Sequence, residues 1–360
     1  MKTAFDSLDK NPTRPSRRFW DWLPWFGGGG STSTPPKSER RPREAFEKRD
    51  RPTLGIALSS GGAKGLAHIG VIQVLEENGI EIDAISGTSM GAYVGAMWAS
   101  GLNGQELEAL SAEIQERRDL WSLVDPVPWP RRGFIRGRKI EHRLRKTLGH
   151  RRFDELAKPL YLLTTQLESF DRVVIHEGDV VSAAMASLAI PGIVVPVVRD
   201  GVEYVDGGVC DPLPVSVLRD EAGVDYVIAV NVLPSIDEFH ESRRVEPDCK
   251  KRPLWQRPFC WLNREVNWAA RGNLLDILRS SAMASQMRVV EHSTVLADVL
   301  IRPVDREARW HDYTGYRRYI EVGRRAAEKA LPEILALISD QSPSLTSETG
   351  TPNTREEDAH

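Results

Sequence analysis

The 360-residue sequence predicts an α/β fold, a mostly parallel central sheet flanked by helices, and three stretches carry that prediction. Leu54-Gly55-Ile56-Ala57-Leu58 is a short apolar run of the kind that suits a strand buried on both faces. It ends in a glycine-rich turn, Ser59 to Gly65, and a largely apolar helix follows from Leu66 to Gly79. Ile80 to Ile85 reads as a second strand, and Gly87-Thr88-Ser89-Met90-Gly91 opens a helix running to Gly101. Strand, loop, helix, strand, tight turn, helix is the order of a parallel sheet built by crossover connections.

The remaining elements continue that alternation. Leu107, Leu110 and Ile114 mark one amphipathic helix and Ile140 to Leu148 another. Leu160 to Thr165 and Arg172 to His176 read as strands, and Val180 to Ala189 as a helix stopped by Pro191. Val194 to Val198 and Glu203 to Val205 form an expected strand pair that closes at Asp206-Gly207-Gly208. Tyr226 to Val230 is a buried strand, and Leu274 to His292 and Tyr316 to Leu337 are helices. There is no internal repeat. The folded domain is expected over 53–338, with 236–272 as an irregular insertion that could serve as a lid.

Composition limits the function classes. The chain is 41% hydrophobic and 28% charged with a net charge of −3, which gives no general affinity for nucleic acid. The charge is uneven: residues 1–52 carry 12 Lys/Arg against 7 Asp/Glu, so +5, leaving −8 for the rest. This arm holds the aromatic knot Phe19 to Phe26 and then Gly27 to Gly30, and reads as a disordered basic and aromatic linker; 339–360 reads as a disordered polar tail. Trp20, Trp22 and Trp25 could sit at a bilayer interface, or pack on the domain or a partner. Lys250, Lys251, Arg252 and Trp255 form a second basic and aromatic cluster, suited to a lid, to an anionic lipid surface or, least, to single-stranded nucleic acid. Cys210, Cys249 and Cys260, an odd count at wide spacing, point to a reducing compartment. With no run long enough for a membrane span and no apolar N-terminal signal, the expectation is a cytoplasmic protein, soluble or peripherally membrane-bound.

Three motifs carry chemistry. Gly87-x-Ser89-x-Gly91 at a strand-to-helix junction has the form of a nucleophile elbow, in which small neighbours let the backbone cross beneath an exposed hydroxyl. A helix N-cap flanked by turn glycines would look the same. Ser60-Gly61-Gly62-Ala63-Lys64-Gly65 can converge backbone N–H groups on a negative oxygen, as acyl transfer requires. It is not a Walker loop, because Lys64 precedes a glycine rather than Ser or Thr. A dinucleotide fingerprint with Asp83 as the acidic partner is the rival, weakened by Ser60 at the first glycine. Asp206-Gly207-Gly208 puts a carboxylate at a strand end with two glycines that admit close backbone approach.

In order and character these motifs resemble the patatin-like phospholipase family, and more closely its bacterial cytoplasmic branch. The likeness runs from about Thr53 to Leu337 and includes Ala189-Ile190-Pro191-Gly192 before a strand. Ser59 and Ser60 stand where the family often has glycine, and Lys64 where it often has arginine. The resemblance implies a three-layer domain and a Ser–Asp dyad: Ser89 as nucleophile, Asp206 as base, Gly61, Gly62, Ala63 and Lys64 as oxyanion loop, and Gly65, Gly87, Gly91, Gly207 and Gly208 as motif glycines. It also implies hydrolysis of carboxylic esters of phospholipid or lysophospholipid, with no metal or organic cofactor. Two alternatives stay open on the residues alone. His240, His292 and His311 follow Asp206, so chain order permits a Ser–His–Asp triad, although each reads as a surface histidine. A nucleotide-binding or regulatory module without hydrolysis is the other.

Overall fold

The structure is a computed structural model that describes residues 51–114, 123–129, 131–239, 273–304 and 312–339. The arm with Trp20, Trp22 and Trp25, the cluster Lys250, Lys251, Arg252 and Trp255, and His240 and His311 lie outside the described residues.

Strand β1 (Leu54–Leu58) is flanked on both edges by parallel partners and lies inside the sheet, and its five residues are all buried. A 3-10 turn (Gly62–Leu66) leads into α1 (Ala67–Glu77), then β2 (Ala84–Thr88), α2 (Met90–Ala99) and α3 (Gly104–Ala112). Next come β3 (Gly133–Ile135), α4 (Arg138–Leu148), β4 (Leu160–Gln166), β5 (Arg172–Ile175) and α5 (Val180–Ser187). Strands β6 (Gly192–Val194), β7 (Val197–Arg199), β8 (Val202–Asp206) and β9 (Tyr226–Val230) precede α6 (Leu274–Thr294), β10 (Val299–Ile301) and α7 (Tyr316–Ser339). The main sheet has the order β10-β9-β1-β2-β4-β8-β7, with β5 also paired to β4. From β10 to β4 the neighbours are parallel; β5 and β8 run antiparallel to β4, and β7 antiparallel to β8.

Side-chain alternation sorts the core into two layers. Ile56, Leu58, Ile85, Ile228 and Val230 join the cluster that holds α1, α2 and α7, whereas Ala57, Ala84, Val227 and Ala229 join Leu213, Leu218 and Val290 on the opposite face. A period of two along each strand sends neighbours to opposite faces, so both faces need helical cover. The architecture is therefore the expected α/β sandwich with a mostly parallel sheet. Helices α1 and α7 cross closely enough that a Cβ on Gly70 would overlap the Ile320 carbonyl and one on Gly323 the Ala67 carbonyl.

Two expected strands are corrected. The strand expected at Ile80 to Ile85 is β2, Ala84–Thr88. Gly79, at φ +65°, closes α1 by letting the Ile80 amide return to the Leu75 carbonyl, so the chain is still leaving the helix at Ile80. The expected Val194 to Val198 strand is two strands in two sheets: β6 pairs with β3, β7 with β8. Pro196 separates them, having no N–H for a ladder. The short strands β3 and β10 were not anticipated, since three residues carry too little period to read.

Candidate functional site

Strand β4 assembles the site. Thr88, the last residue of β2, pairs with Leu163, and Asp206, the last residue of β8, pairs with the next residue, Thr164. Ser89 follows directly at the turn into α2, with φ 55° and ψ −117°, a left-handed conformation that is a steric outlier for a residue with a side chain. Its hydroxyl donates to Asp206 Oδ2 at 2.6 Å, and both residues are buried. The other carboxylate oxygen, Oδ1, accepts the Gly208 amide at 2.7 Å. Burial pushes the Asp206 carboxyl up to about 6, partly opposed by the hydrogen bonds from Ser89 and Gly208.

Glycine is required at the two ends of this turn. A Cβ on Gly87 would stand 2.6 Å from the Gly91 carbonyl oxygen, and one on Gly91 would overlap the Leu58 carbonyl. The strained φ of Ser89 thus persists because the backbone beneath it is packed against β1. Gly207 is confined similarly, against the Leu163 carbonyl. Asp206 is held from behind as well: its amide donates to Ala189 O at 2.9 Å, and Thr165 Oγ1 donates to its carbonyl at 3.1 Å. Ala189, the first residue of the Ala189 to Gly192 stretch, therefore positions Asp206 through the backbone.

Several supporting residues were not singled out from the sequence. Ser187, at the end of α5, accepts the Ser89 amide on its hydroxyl at 2.9 Å. A serine at a helix end has too many other uses to be read in advance. His68 is fully buried, and its Nε2–H donates to the Ser59 carbonyl at 2.9 Å, tying α1 to the glycine loop. Burial pushes its pKa down to about 4, so it is neutral. Ser59 is further fixed by its hydroxyl, which accepts the Val232 amide at 3.0 Å, and the Ser60 amide donates to Pro212 O at 2.8 Å. The loop Gly61 to Gly65 follows, with Gly62 at φ +57°. On the far side α6 reaches in through Gln286, whose Nε2 donates to Gly208 O at 2.9 Å.

Of the triad candidates, His292 is exposed in the last turn of α6. Asp83, the acidic residue of the rival dinucleotide reading, is buried and committed to structure: it accepts the Leu54 amide at 2.8 Å and a bidentate Arg51 at 2.9 and 3.1 Å. Among the described residues no helix is long and apolar enough to cross a membrane.

A cavity of about 780 Å³ adjoins the site. Ser89 and Asp206 are not in its wall, but Leu66 and Met90, the residues just beyond the glycine loop and Ser89, are. Val94, Leu107, Ile135 and Ile190 continue an aliphatic lining, and Tyr313 stands among them. Burial pushes the Tyr313 phenol up to about 12, with Tyr93, Asp206 and Tyr319 adding to the shift, so it stays neutral. The charged residues of the wall are Arg143 and Asp312; Arg143 is held by the Leu110 carbonyl at 2.6 Å and Glu113 at 3.0 Å.

Residues 56–219 match the family model of patatin-like phospholipases. An uncharacterized NTE family protein of Mycobacterium bovis is 36% identical over 217 residues, 60% of this chain and 56% of that protein. The lysophospholipase NTE1 of Yarrowia lipolytica is 27% identical over 286 residues, 78% of this chain and 19% of that one. The chain thus spans little more than half the length of the mycobacterial relative and a smaller share of the fungal one. Among solved structures, VipD of Legionella pneumophila aligns with a TM-score of 0.41 at 14% identity over 79% of this chain and 67% of that chain, too distant to add to the assignment. The matched stretch runs from within β1 to beyond β8 and includes Ser89 and Asp206: over residues 56–219 the chain is similar to the patatin-like phospholipases.

Proposed function

We propose that this protein is a serine acyl hydrolase that cleaves carboxylic esters of lipids, with Ser89 as nucleophile and Asp206 as base. The observation that carries the reading is the 2.6 Å hydrogen bond from a buried, left-handed serine to a buried carboxylate. An aliphatic cavity one residue away supports a long acyl chain as the group that is bound. The fungal relative is a lysophospholipase, which favours lysophospholipid among the candidate substrates.

In the proposed reaction, Ser89 Oγ attacks the ester carbonyl while its proton moves to Asp206. An ordinary carboxylate is a weak base for this; one near pKa 6 is closer to the working pH and better matched. Negative charge on the carbonyl oxygen is received by the glycine loop, Gly61 to Lys64, where each backbone donor is worth roughly 3 kcal/mol. The C–O bond breaks, Asp206 returns its proton to the leaving alcohol, and the acyl group rests on Ser89. Water then gives its proton to Asp206 and attacks the acyl-enzyme, and the proton returns to Ser89 as the fatty acid leaves. The commitment of Asp83 to Arg51 and Leu54 counts against the nucleotide-binding alternative.

The test is fluorophosphonate labelling together with hydrolysis of a chromogenic ester and of phospholipid and lysophospholipid vesicles or micelles. Wild type and His292→Ala should label and turn over, while Ser89→Ala should do neither and Asp206→Asn should lose turnover by at least about 1000-fold. An unlabelled wild type, or an active Ser89→Ala, would overturn the reading.

A further inference from the structure

The strand that walls the cavity also faces outward. In β3 the side chains alternate: Ile135 lines the cavity, whereas Phe134 is 56% exposed. Strand β3 belongs to a hairpin in which the Val127 amide donates to the Phe134 carbonyl at 2.9 Å and the Arg136 amide to the Asp125 carbonyl at 3.1 Å. Trp129, 83% exposed, stands near its tip. From Pro126 to Ile140 the sequence holds Arg131, Arg132, Arg136, Arg138 and Lys139 and no Asp or Glu. Asp125, at the base, is turned inward, accepting the Gly137 amide at 2.9 Å and the Arg138 amide at 3.0 Å.

Arg132 joins this hairpin to the main sheet through two bonds to Glu203, at 2.8 and 2.6 Å. Glu203 pairs across the ladder with Val198 of the edge strand β7, so their side chains share a face, and Val198 is itself largely exposed. Trp129, Phe134 and Val198 therefore stand among cations on one surface, while Arg131, Arg136 and Arg138 are exposed. Exposed large apolar side chains set among cations that outnumber the carboxylate Glu203 favour a partner that is apolar in depth and anionic at its surface, which is a lipid bilayer. A single-stranded nucleic acid would use the same aromatics and cations, but it offers nothing to the aliphatic cavity behind the strand.

We infer that Trp129, Arg131 and β3 of the hairpin, together with Arg136 and the first turn of α4, dock the protein on an anionic lipid surface, placing the wall of the cavity against the membrane from which the acyl chain enters. The inference rests on the lipid-ester reading for its purpose, but its measurement does not depend on turnover. Full-length protein in the Ser89→Ala background is sedimented with phosphatidylcholine vesicles, with and without phosphatidylglycerol. The parent should bind the anionic vesicles, and binding should weaken with salt. Roughly fivefold in partitioning is expected per basic residue at the headgroups, so Arg131→Glu/Arg136→Glu/Arg138→Glu should lose on the order of a hundredfold or more. The corresponding triple lysine variant should bind as the parent does, and Trp129→Ser/Phe134→Ser should lose at least tenfold. If the glutamate variant does not share the parent's thermal unfolding midpoint, the lysine and aromatic variants decide the matter. A parent that ignores both vesicles, that binds them equally, or whose binding survives either loss variant would overturn the inference, as would binding of an oligonucleotide in place of vesicles. Hydrolysis of soluble esters without hairpin-dependent partitioning would sink the docking surface alone; partitioning without any esterase activity would sink the proposed reaction alone.

Discussion

Ser89 and Asp206, 117 positions apart in the chain, share a 2.6 Å hydrogen bond because their strands end on consecutive residues of β4, Leu163 and Thr164. The geometry is thus set by sheet register, a feature of the core, and the side chains need little freedom of their own to meet. Mutations that shift β4 should act on the pair, whereas those on exposed faces of α6 or α7 should not.

The pH profile follows from the buried carboxylate. Asp206 must be ionised to accept the serine proton, and its pKa lies at about 6. For a soluble chromogenic ester, kcat/KM should rise with one-proton dependence through about pH 6 and then level off. A profile centred near the ordinary carboxylate value would show that Asp206 does not control the rate.

The same carboxylate weakens the fold at neutral pH. Its folded pKa is raised, so between the ordinary value of 3.8 and about 6 the folded protein keeps a proton that the unfolded chain has lost. Stability therefore falls as pH rises through that window, and the ionised group costs on the order of 2–3 kcal/mol above it. Asp206→Asn should be more stable than wild type in urea at about pH 8, and the gap should close toward about pH 4. An equal gap at both pH values would mean that the charge is not its source.

Two glycines of α2 should differ in what they tolerate. Gly91→Ala drives a Cβ into the Leu58 carbonyl and should cost about 3 kcal/mol in urea unfolding, with loss of esterase activity. Gly95→Ala meets side chains alone, Ile85 at 3.2 Å, Leu58 at 3.5 Å and Leu160 at 3.6 Å, and alanine's better helix propensity, worth about 1 kcal/mol, should leave it near neutral. Comparable losses at both sites would place the elbow's rigidity elsewhere.

Cavity length should read out in acyl-chain preference. Leu110 lines the cavity and is only partly buried, so Leu110→Trp can narrow it without rebuilding the core. Long-chain esters should lose at least about tenfold in kcat/KM while short-chain esters change little, since each lost methylene contact weakens binding by roughly 1 kcal/mol. Parallel losses for all chain lengths would argue that acyl chains lie elsewhere.

How much of this was legible beforehand depends on the range of the interactions involved. The apolar run Leu54 to Leu58, the spacing Gly87-x-Ser89-x-Gly91 and the pair Gly207-Gly208 after a strand are local, and they disclosed an α/β sandwich and named both Ser89 and Asp206. Local pattern misplaced β2, because Gly79 and the Ile80 return to Leu75 delay the strand, and it ran β6 into β7 across Pro196. Sequence by itself determined which residue types could do acyl chemistry and roughly where the strands that carry them end. Tertiary structure alone decided that Thr88 and Asp206 land on neighbouring residues of β4, that Ser187 and His68 brace the serine and the loop, and that burial lifts the Asp206 carboxyl to about 6. These depend on partners distant in the chain and on how much water the packing excludes, and neither register nor desolvation is written in any single stretch of residues.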